Sequence, residues 1–107
     1  MIVYNTTFHI EKTVWDACLA YLRQHYIPGA LKSGELLNPC LRRVMLAEEA
    51  EENGVNVSVQ FEVKDLDTLN GWLQREGNRL HKDLVSRFGY QVAGFSTLLE
   101  DLDWKQG

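Results

Sequence analysis

The sequence has few cysteines, no long apolar run and no excess of basic residues. Only two cysteines are present, Cys18 and Cys40, and neither lies in a CxxC or Cys/His spacing, which argues against a disulfide framework and against a zinc site. Eleven Lys and Arg against fifteen Asp and Glu give a formal net charge of −4, which would repel a phosphate backbone. We therefore expect two reduced, buried thiols in a cytoplasmic protein that does not bind nucleic acid.

Nothing in the sequence is typical of export or of membrane insertion. The first residues contain neither a basic leader nor an apolar h-region, and no apolar run approaches the roughly 20 residues that span a bilayer. The chain has 107 residues, of which 45% are hydrophobic and 24% are charged, as in ordinary globular domains. We predict a single domain over residues 1–107, off the membrane, with residues 100–107 as an acidic C-terminal tail.

The first half of the chain predicts a strand, a helix and a second strand. Residues 2–9 alternate two sets of side chains and are rich in β-branched and aromatic types, as in a strand. Thr13 and Asp16 have the spacing of a capping box, so a helix is expected to begin there and to be broken or kinked at Pro28. Residues 41–47 are predicted to form the second strand.

The third strand has the clearest pattern. After a polar turn over residues 48–54, apolar side chains alternate strictly with polar ones from Val55 to Lys64. Because successive side chains of a strand point to opposite faces, one face must be buried and the other must be more polar.

A second helix and a fourth strand complete the chain. Asp65 is a natural N-cap, and leucines follow at helical spacing up to Phe88, after which Gly89 serves as the C-cap. Gly77 lies inside this helix, so either close packing offsets its cost or the helix bends there. Residues 91–99 are predicted to form the last strand.

This order of elements predicts an α+β fold of the ferredoxin-like βαββαβ type. Such a fold has a four-stranded antiparallel sheet in the order 4-1-3-2, with both helices on one face. The valine face of the third strand should then lie under the helices, and its polar face should point away from them.

Four segments carry a resemblance to a known family: MIVYNTTFHI, HYIPGALKSG, VSVQFEV and LVSRFGYQVAGFSTLLEDL. They resemble a family of short, uncharacterised bacterial proteins, a domain of unknown function, over nearly the whole chain. The resemblance implies the dimeric α/β-barrel group, in which two ferredoxin-like sheets pack face to face. It implies no activity and no catalytic residue.

Strands one and three are predicted neighbours, which places a set of hydrogen-bonding side chains on one sheet face. They are Asn5, Thr7, His9, Ser58, Gln60 and Glu62. This face is either solvated, or a wet interface, or a polar cavity that binds a small ligand. In the last case His9 and Glu62 are the candidate catalytic pair for proton transfer. Arg43, or its neighbour Arg42, could then bind an anionic group of the ligand.

Several other functions are compatible with the fold. Common catalytic and nucleotide-binding motifs are absent, and no histidine has a second histidine at i+4, so we predict no metal and no cofactor. Some other dimeric α/β-barrel proteins resemble small monooxygenases, which either need no cofactor or use haem or flavin, and others resemble isomerases. By this analogy Asn5, Trp72 and His81 are candidate catalytic residues. Trp72 is more simply explained as a core residue. An RNA-recognition module needs aromatic residues where this third strand is polar, and an amino-acid-binding regulatory module is a further alternative.

We expect a homodimer that forms through the sheet face opposite the helices. This face mixes its polar centre with apolar groups such as Val3, Phe95 and either Met45 or Leu46, which suits two sheets that meet around a partly polar cavity. Trp104 is an apolar group in an acidic tail, and we predict that it anchors the partner subunit or packs across the sheet edge. A frayed tail is the alternative.

Overall fold

The structure, a computed structural model, describes residues 1–45 and 53–105. Its four strands are β1 Ile2–Glu11, β2 Leu37–Arg43, β3 Gly54–Val63 and β4 Val92–Glu100. They form one antiparallel sheet in the order β2-β3-β1-β4, which confirms the predicted order 4-1-3-2. The α+β ferredoxin-like fold is therefore as the sequence predicted.

The core lies between the helices and the apolar face of the sheet. Val57, Val59 and Phe61 of β3 are 1%, 1% and 2% exposed, whereas the polar residues between them are only partly buried. In β1 the residues opposite this set, from Tyr4 to Ile10, are buried on the same face. The alternation of side chains thus fixes which face the helices cover.

The first helical segment differs from the prediction at both ends. Lys12–Val14 form a 3-10 turn, and no capping side chain bonds to the start of the helix α1, Trp15–Tyr21. The chain then continues through a π-helical turn, Leu22–Tyr26, into the helix α2, Ile27–Leu31. Proline therefore does not end the helix. It lies at the start of α2, after a π turn, a form that occurs mostly as short bulges inside α-helices.

The second helical segment begins and ends as predicted. The Asp65 side chain accepts a hydrogen bond from the Thr68 backbone N–H (2.8 Å), and Gly89 ends the segment with φ +55°. Between them lie the helix α3, Leu66–Trp72, and the helix α4, Asn78–Phe88. The π-helical turn Leu73–Gly77 joins these two helices.

Gly77 leaves room for the core tryptophan. A Cβ atom at this position would lie 3.0 Å from Cζ3 of Trp72, so a larger residue would crowd the indole. Trp72 itself is 1% exposed, and its Nε1–H donates to the Ala30 carbonyl of α2 at 3.1 Å. This hydrogen bond ties the two helical segments together, and close packing accounts for the glycine.

The second strand is shifted from its predicted position. It covers Leu37–Arg43 instead of residues 41–47, and its register with β3 shifts between Leu37 and Cys40. The shift coincides with Asn38, whose φ is +52°, and with the proline that follows it. Such a bulge has no periodic pattern from which it could be predicted. Leu46, Ala47 and most of the predicted turn over 48–54 lie outside the described residues.

Two smaller expectations concern the cysteines and the helices. Cys18 is buried, and burial raises the pKa of its thiol to about 11, whereas Cys40 is only partly buried on β2. No helix in the described ranges is long and apolar enough to cross a membrane.

Candidate functional site

The sheet face turned away from the helices, called here the open face, carries the polar side chains predicted to share one face, which run from Asn5 to His9 on β1 and from Ser58 to Glu62 on β3. The Ser58 hydroxyl donates to Oδ1 of Asn5 at 2.5 Å, and Nδ2 of Asn5 donates to Oγ1 of Thr7 at 3.2 Å. Nearby, Arg42 donates to Oε1 of Gln60 at 3.0 Å. These side chains thus bond to one another across β1, β3 and β2.

Three of the predicted site residues, Arg43, His9 and Glu62, do not come together as expected. Arg43 is opposite Val57 on the helix side of the sheet, so the open face has Arg42 in its place. His9 and Glu62 share the open face, but His9 is opposite Asn56, six residues away from Glu62 on β3. At about 3.4 Å per residue, this places the two about 20 Å apart, too far for direct proton transfer. In this fold His9 donates instead to Oδ1 of Asn56 at 2.8 Å.

A shallow groove of about 450 Å³ lies at the His9 end of the open face. Its walls come from three strands and include Thr7, His9, Asn56 and Phe95. Phe95 is 65% exposed. A groove with an exposed phenylalanine on a sheet face is suited to contact with another surface.

The larger cavity lies on the other side of the sheet, between α4 and β4, and is called here the β4 cavity. Its volume is about 540 Å³, within the usual range for small-molecule sites. It exists because the helices cover β1 and β3 but leave β4 exposed at every residue after Val92. Its walls include Tyr4, Thr6, Phe8, Tyr26, His81, Val85 and Ser96.

Three side chains with hydroxyl groups, Tyr26, Thr6 and Ser96, line the β4 cavity. Oγ1 of Thr6 lies 3.0 Å from Oγ of Ser96. Burial raises the pKa of Tyr26 above its usual range, so this phenol stays protonated at neutral pH. Thr6 is 7% exposed and lies between the aromatic rings of Tyr4 and Phe8 on the helix side of β1. The cavity is therefore apolar and aromatic, with one hydrogen-bonding strip.

The β4 cavity was not predicted from the sequence, although one signal pointed to it. Thr6 is the polar member of the otherwise apolar set that β1 turns toward the helices. Ser96, its partner, lies 90 positions later in the sequence. Only the β1–β4 register brings the two together.

The residues suggested by analogy with monooxygenases do not form a cluster within one chain. Asn5 lies on the open face, whereas Trp72 packs edge-on against Tyr4 in the core beneath the opposite face. His81 lies on α4 at the exposed margin of the β4 cavity. In the part of the chain that the structure describes, no group of three or more His, Cys, Asp or Glu could bind a metal ion.

Comparison with known proteins gives a family and a fold. The family described as a domain of unknown function, DUF4286, matches residues 1–102. No curated protein matches the chain.

Three solved structures share the fold at low sequence identity. A protein of the ethyl tert-butyl ether D (EthD) family from Bacillus halodurans is 16% identical, with a TM-score of 0.69, over 95% of this chain and 100% of its own. HapK from Hahella chejuensis is 10% identical, with a TM-score of 0.70, over 100% of this chain and 98% of its own. A protein from an uncultured marine organism, described as a dimeric ferredoxin-like protein, is 15% identical, with a TM-score of 0.60, over 92% of each chain.

Proposed function

Because the chain belongs to this family of unknown function, DUF4286, we propose a function from geometry alone: the protein binds a small neutral ligand in the β4 cavity. The observation that carries the proposal is the hydrogen-bonded hydroxyl pair of Thr6 and Ser96 in a wall of aromatic rings that includes Tyr26. Small-molecule sites are usually apolar cavities with a few placed polar groups that set the orientation of the ligand. The β4 cavity has this composition.

The lining of the cavity defines the class of ligand. Among the described residues that line it, His81 is the one histidine, and no Asp, Glu, Lys or Arg contributes. A charged ligand would lose its hydration without gaining a partner. The aromatic rings of Tyr4 and Phe8 favour a flat apolar body, and the Thr6–Ser96 pair favours one hydroxyl or carbonyl group on it. The ligand is thus a flat, apolar molecule with a single polar group.

Phenol and benzene test this proposal as a matched pair of probes. A ligand that binds only the folded state stabilises it by about 2.7 kcal/mol at a concentration of 100 times Kd. We expect phenol to raise the melting temperature more than benzene does. We expect Thr6→Val and Ser96→Ala to reduce that difference.

A blocked variant shows whether the binding occurs in this cavity. Val85 lines the cavity and is 48% exposed, so Val85→Trp should fill it and abolish the stabilisation by phenol. Ser86→Trp, one position along α4 and outside the lining, is the control and should retain it. If phenol stabilised Val85→Trp as much as Ser86→Trp, or stabilised neither the natural protein nor the control, the proposed site would be wrong.

The second part of the proposal is that two chains pair through their open faces. Phe95 and Leu99 on this face are 65% and 47% exposed, and the polar network around Asn5 would lie at the centre of the contact. Such an interface, apolar in part and wet in part, is common between protein subunits. Asn5, Thr7, Ser58 and Gln60 are then the polar lining of the space between the two sheets.

The C-terminal tail is proposed to strengthen this contact. Trp104 is 85% exposed and Leu102 is 80% exposed, so neither contributes to the core of one chain. Tryptophan is enriched among the residues that dominate interface energies. Sedimentation equilibrium should give an assembly of at least two 12.3 kDa chains, and removal of residues 102–107 should weaken it while leaving the fold intact. A monomer at micromolar concentration would contradict the pairing, and an equally stable truncated dimer would contradict the anchor.

A further inference from the structure

The outer edge of β4 lacks the usual protection against strand pairing. In the described sheet β4 is an edge strand, with β1 as its one neighbour. Proteins commonly protect such edges with prolines, basic side chains, bulges or short strands. The sequence of β4, VAGFSTLLE, contains no proline and no basic residue, and the strand pairs with β1 along its whole length of nine residues without a register shift.

The opposite edge of the same sheet carries several of these protections. β2 contains Pro39, a register shift between Leu37 and Cys40, and the left-handed residue Asn38. It also carries two arginines at its end. Of the two edges of this sheet, the β4 edge is therefore the less protected one.

We propose that the outer edge of β4 pairs, antiparallel, with β4 of a second copy of this chain. With the two-fold axis at Ser96, each large side chain of one strand lies opposite a small one of the other. Phe95 faces Thr97, Leu98 faces Gly94, and Leu99 faces Ala93 in this register. A shift of the axis to Thr97 would place Phe95 directly opposite Leu99, two large groups at one cross-strand position.

The distribution of charge favours the antiparallel arrangement. The strand is uncharged from Val92 to Leu99, and the acidic residues Glu100, Asp101 and Asp103 all follow at one end. Parallel pairing would place these acidic ends side by side, where like charges repel. Antiparallel pairing separates the acidic ends and brings each one toward Gln91 at the start of the partner's β4. There Gln91 donates a hydrogen bond to Thr13, and the basic residue Lys12 next to Thr13 is exposed.

This contact would also complete the wall of the β4 cavity. Gly94 and Ser96 line that cavity on the exposed side of β4. A partner strand beyond them would extend the sheet under the cavity and place the partner's Leu98 beside Gly94. The edge contact is separate from the proposed contact between open faces and does not depend on it.

A cysteine at the two-fold axis tests the register directly. In antiparallel self-pairing, the two copies of residue 96 lie opposite each other, within the distance that a disulfide can bridge. We therefore expect the variant Cys40→Ser with Ser96→Cys to form covalent dimers under mild oxidation, as seen on a non-reducing gel. The remaining cysteine, Cys18, is buried.

Two matched substitutions show whether the cross-link depends on the β4 edge. Leu98 and Leu37 are 49% and 43% exposed, on the β4 edge strand and the β2 edge strand respectively. In the cysteine variant, Leu98→Asp should abolish the covalent dimer, and Leu37→Asp should leave it unchanged, with the circular dichroism spectrum of each variant showing that it is folded. Absence of the cross-link, or a cross-link that survives Leu98→Asp, overturns the proposal.

The same variants separate this proposal from the pairing of open faces. Leu98 lies on the helix side of the sheet, opposite Tyr4, and not on the open face. Leu98→Asp should therefore still sediment as a dimer if the open faces pair. The opposite outcome is a cysteine variant that cross-links through residue 96 together with a Leu98→Asp protein that sediments as a monomer. This outcome would support the edge contact and contradict the contact between open faces.

Discussion

Replacing Trp72 by phenylalanine should destabilise the protein strongly, although both residues are aromatic. The indole Nε1–H donates to the Ala30 carbonyl at 3.1 Å, and this carbonyl lies in the last turn of α2, where helical carbonyls lack intrahelical partners. Phenylalanine has no donor, so a buried acceptor would be left unsatisfied at a cost of about 1–3 kcal/mol. The smaller ring also leaves a void beside Tyr4 and Gly77. The void adds roughly 1 kcal/mol or more.

Urea denaturation followed by circular dichroism measures this cost. We expect Trp72→Phe to lower the free energy of unfolding by about 2–4 kcal/mol, a large fraction of the 5–15 kcal/mol typical of a domain. Trp104→Phe is the control, because Trp104 is 85% exposed and its replacement should change the stability of the fold by less than about 0.5 kcal/mol. Equal costs for the two variants would refute the role given to the Trp72–Ala30 hydrogen bond.

Three further predictions concern the sheet and the helix cap. Val59→Asp should abolish soluble folding because it buries an unpaired carboxylate, whereas Gln60→Ala on the open face should leave the melting temperature nearly unchanged; similar melting of both would refute the assignment of faces. Gly94→Val should cost about 1–3 kcal/mol in a urea titration, since a Cβ there would lie 2.8 Å from Cδ1 of Phe8; a neutral result would contradict the β1–β4 packing. Hydrogen bonds from the helix start hold the pKa of Asp65 below its usual value, so its contribution is present above about pH 4 and is lost as the pH falls further. Asparagine can still cap a helix, so the melting temperature of Asp65→Asn should fall less than that of the natural protein between about pH 4 and pH 2. An equal fall in melting temperature for both proteins would contradict this.

Most of the fold could be predicted from local patterns because those patterns agree with the tertiary structure. Strict alternation in β3 identified the buried face, and the aspartate and glycine at the ends of the second helical segment marked its bounds. The capping box at Thr13 misled because the hydroxyl of Thr13 accepts a hydrogen bond from Gln91, 78 residues away in the sequence. The β2 prediction was displaced because a bulge has no period.

The candidate site was harder to predict because it depends on register and on what the helices leave uncovered. Alternation places His9 and Glu62 on one face but does not say that they lie at opposite ends of it. Likewise, no local pattern shows that β4 extends beyond the helices, which is the origin of the β4 cavity. The hydroxyl pair of Thr6 and Ser96 becomes visible only once β4 is aligned with β1.

The most direct test of the central claim is to map phenol binding by amide chemical shifts in a ¹⁵N-labelled protein. The helix α4 borders the β4 cavity and not the open face, whereas β3 borders the open-face groove and not the β4 cavity. We predict that saturating phenol shifts the amides of His81 and Val85 on α4 and leaves those of Asn56 and Ser58 on β3 unchanged. Shifts confined to β3, or no shifts at millimolar phenol, would contradict a ligand site between α4 and β4.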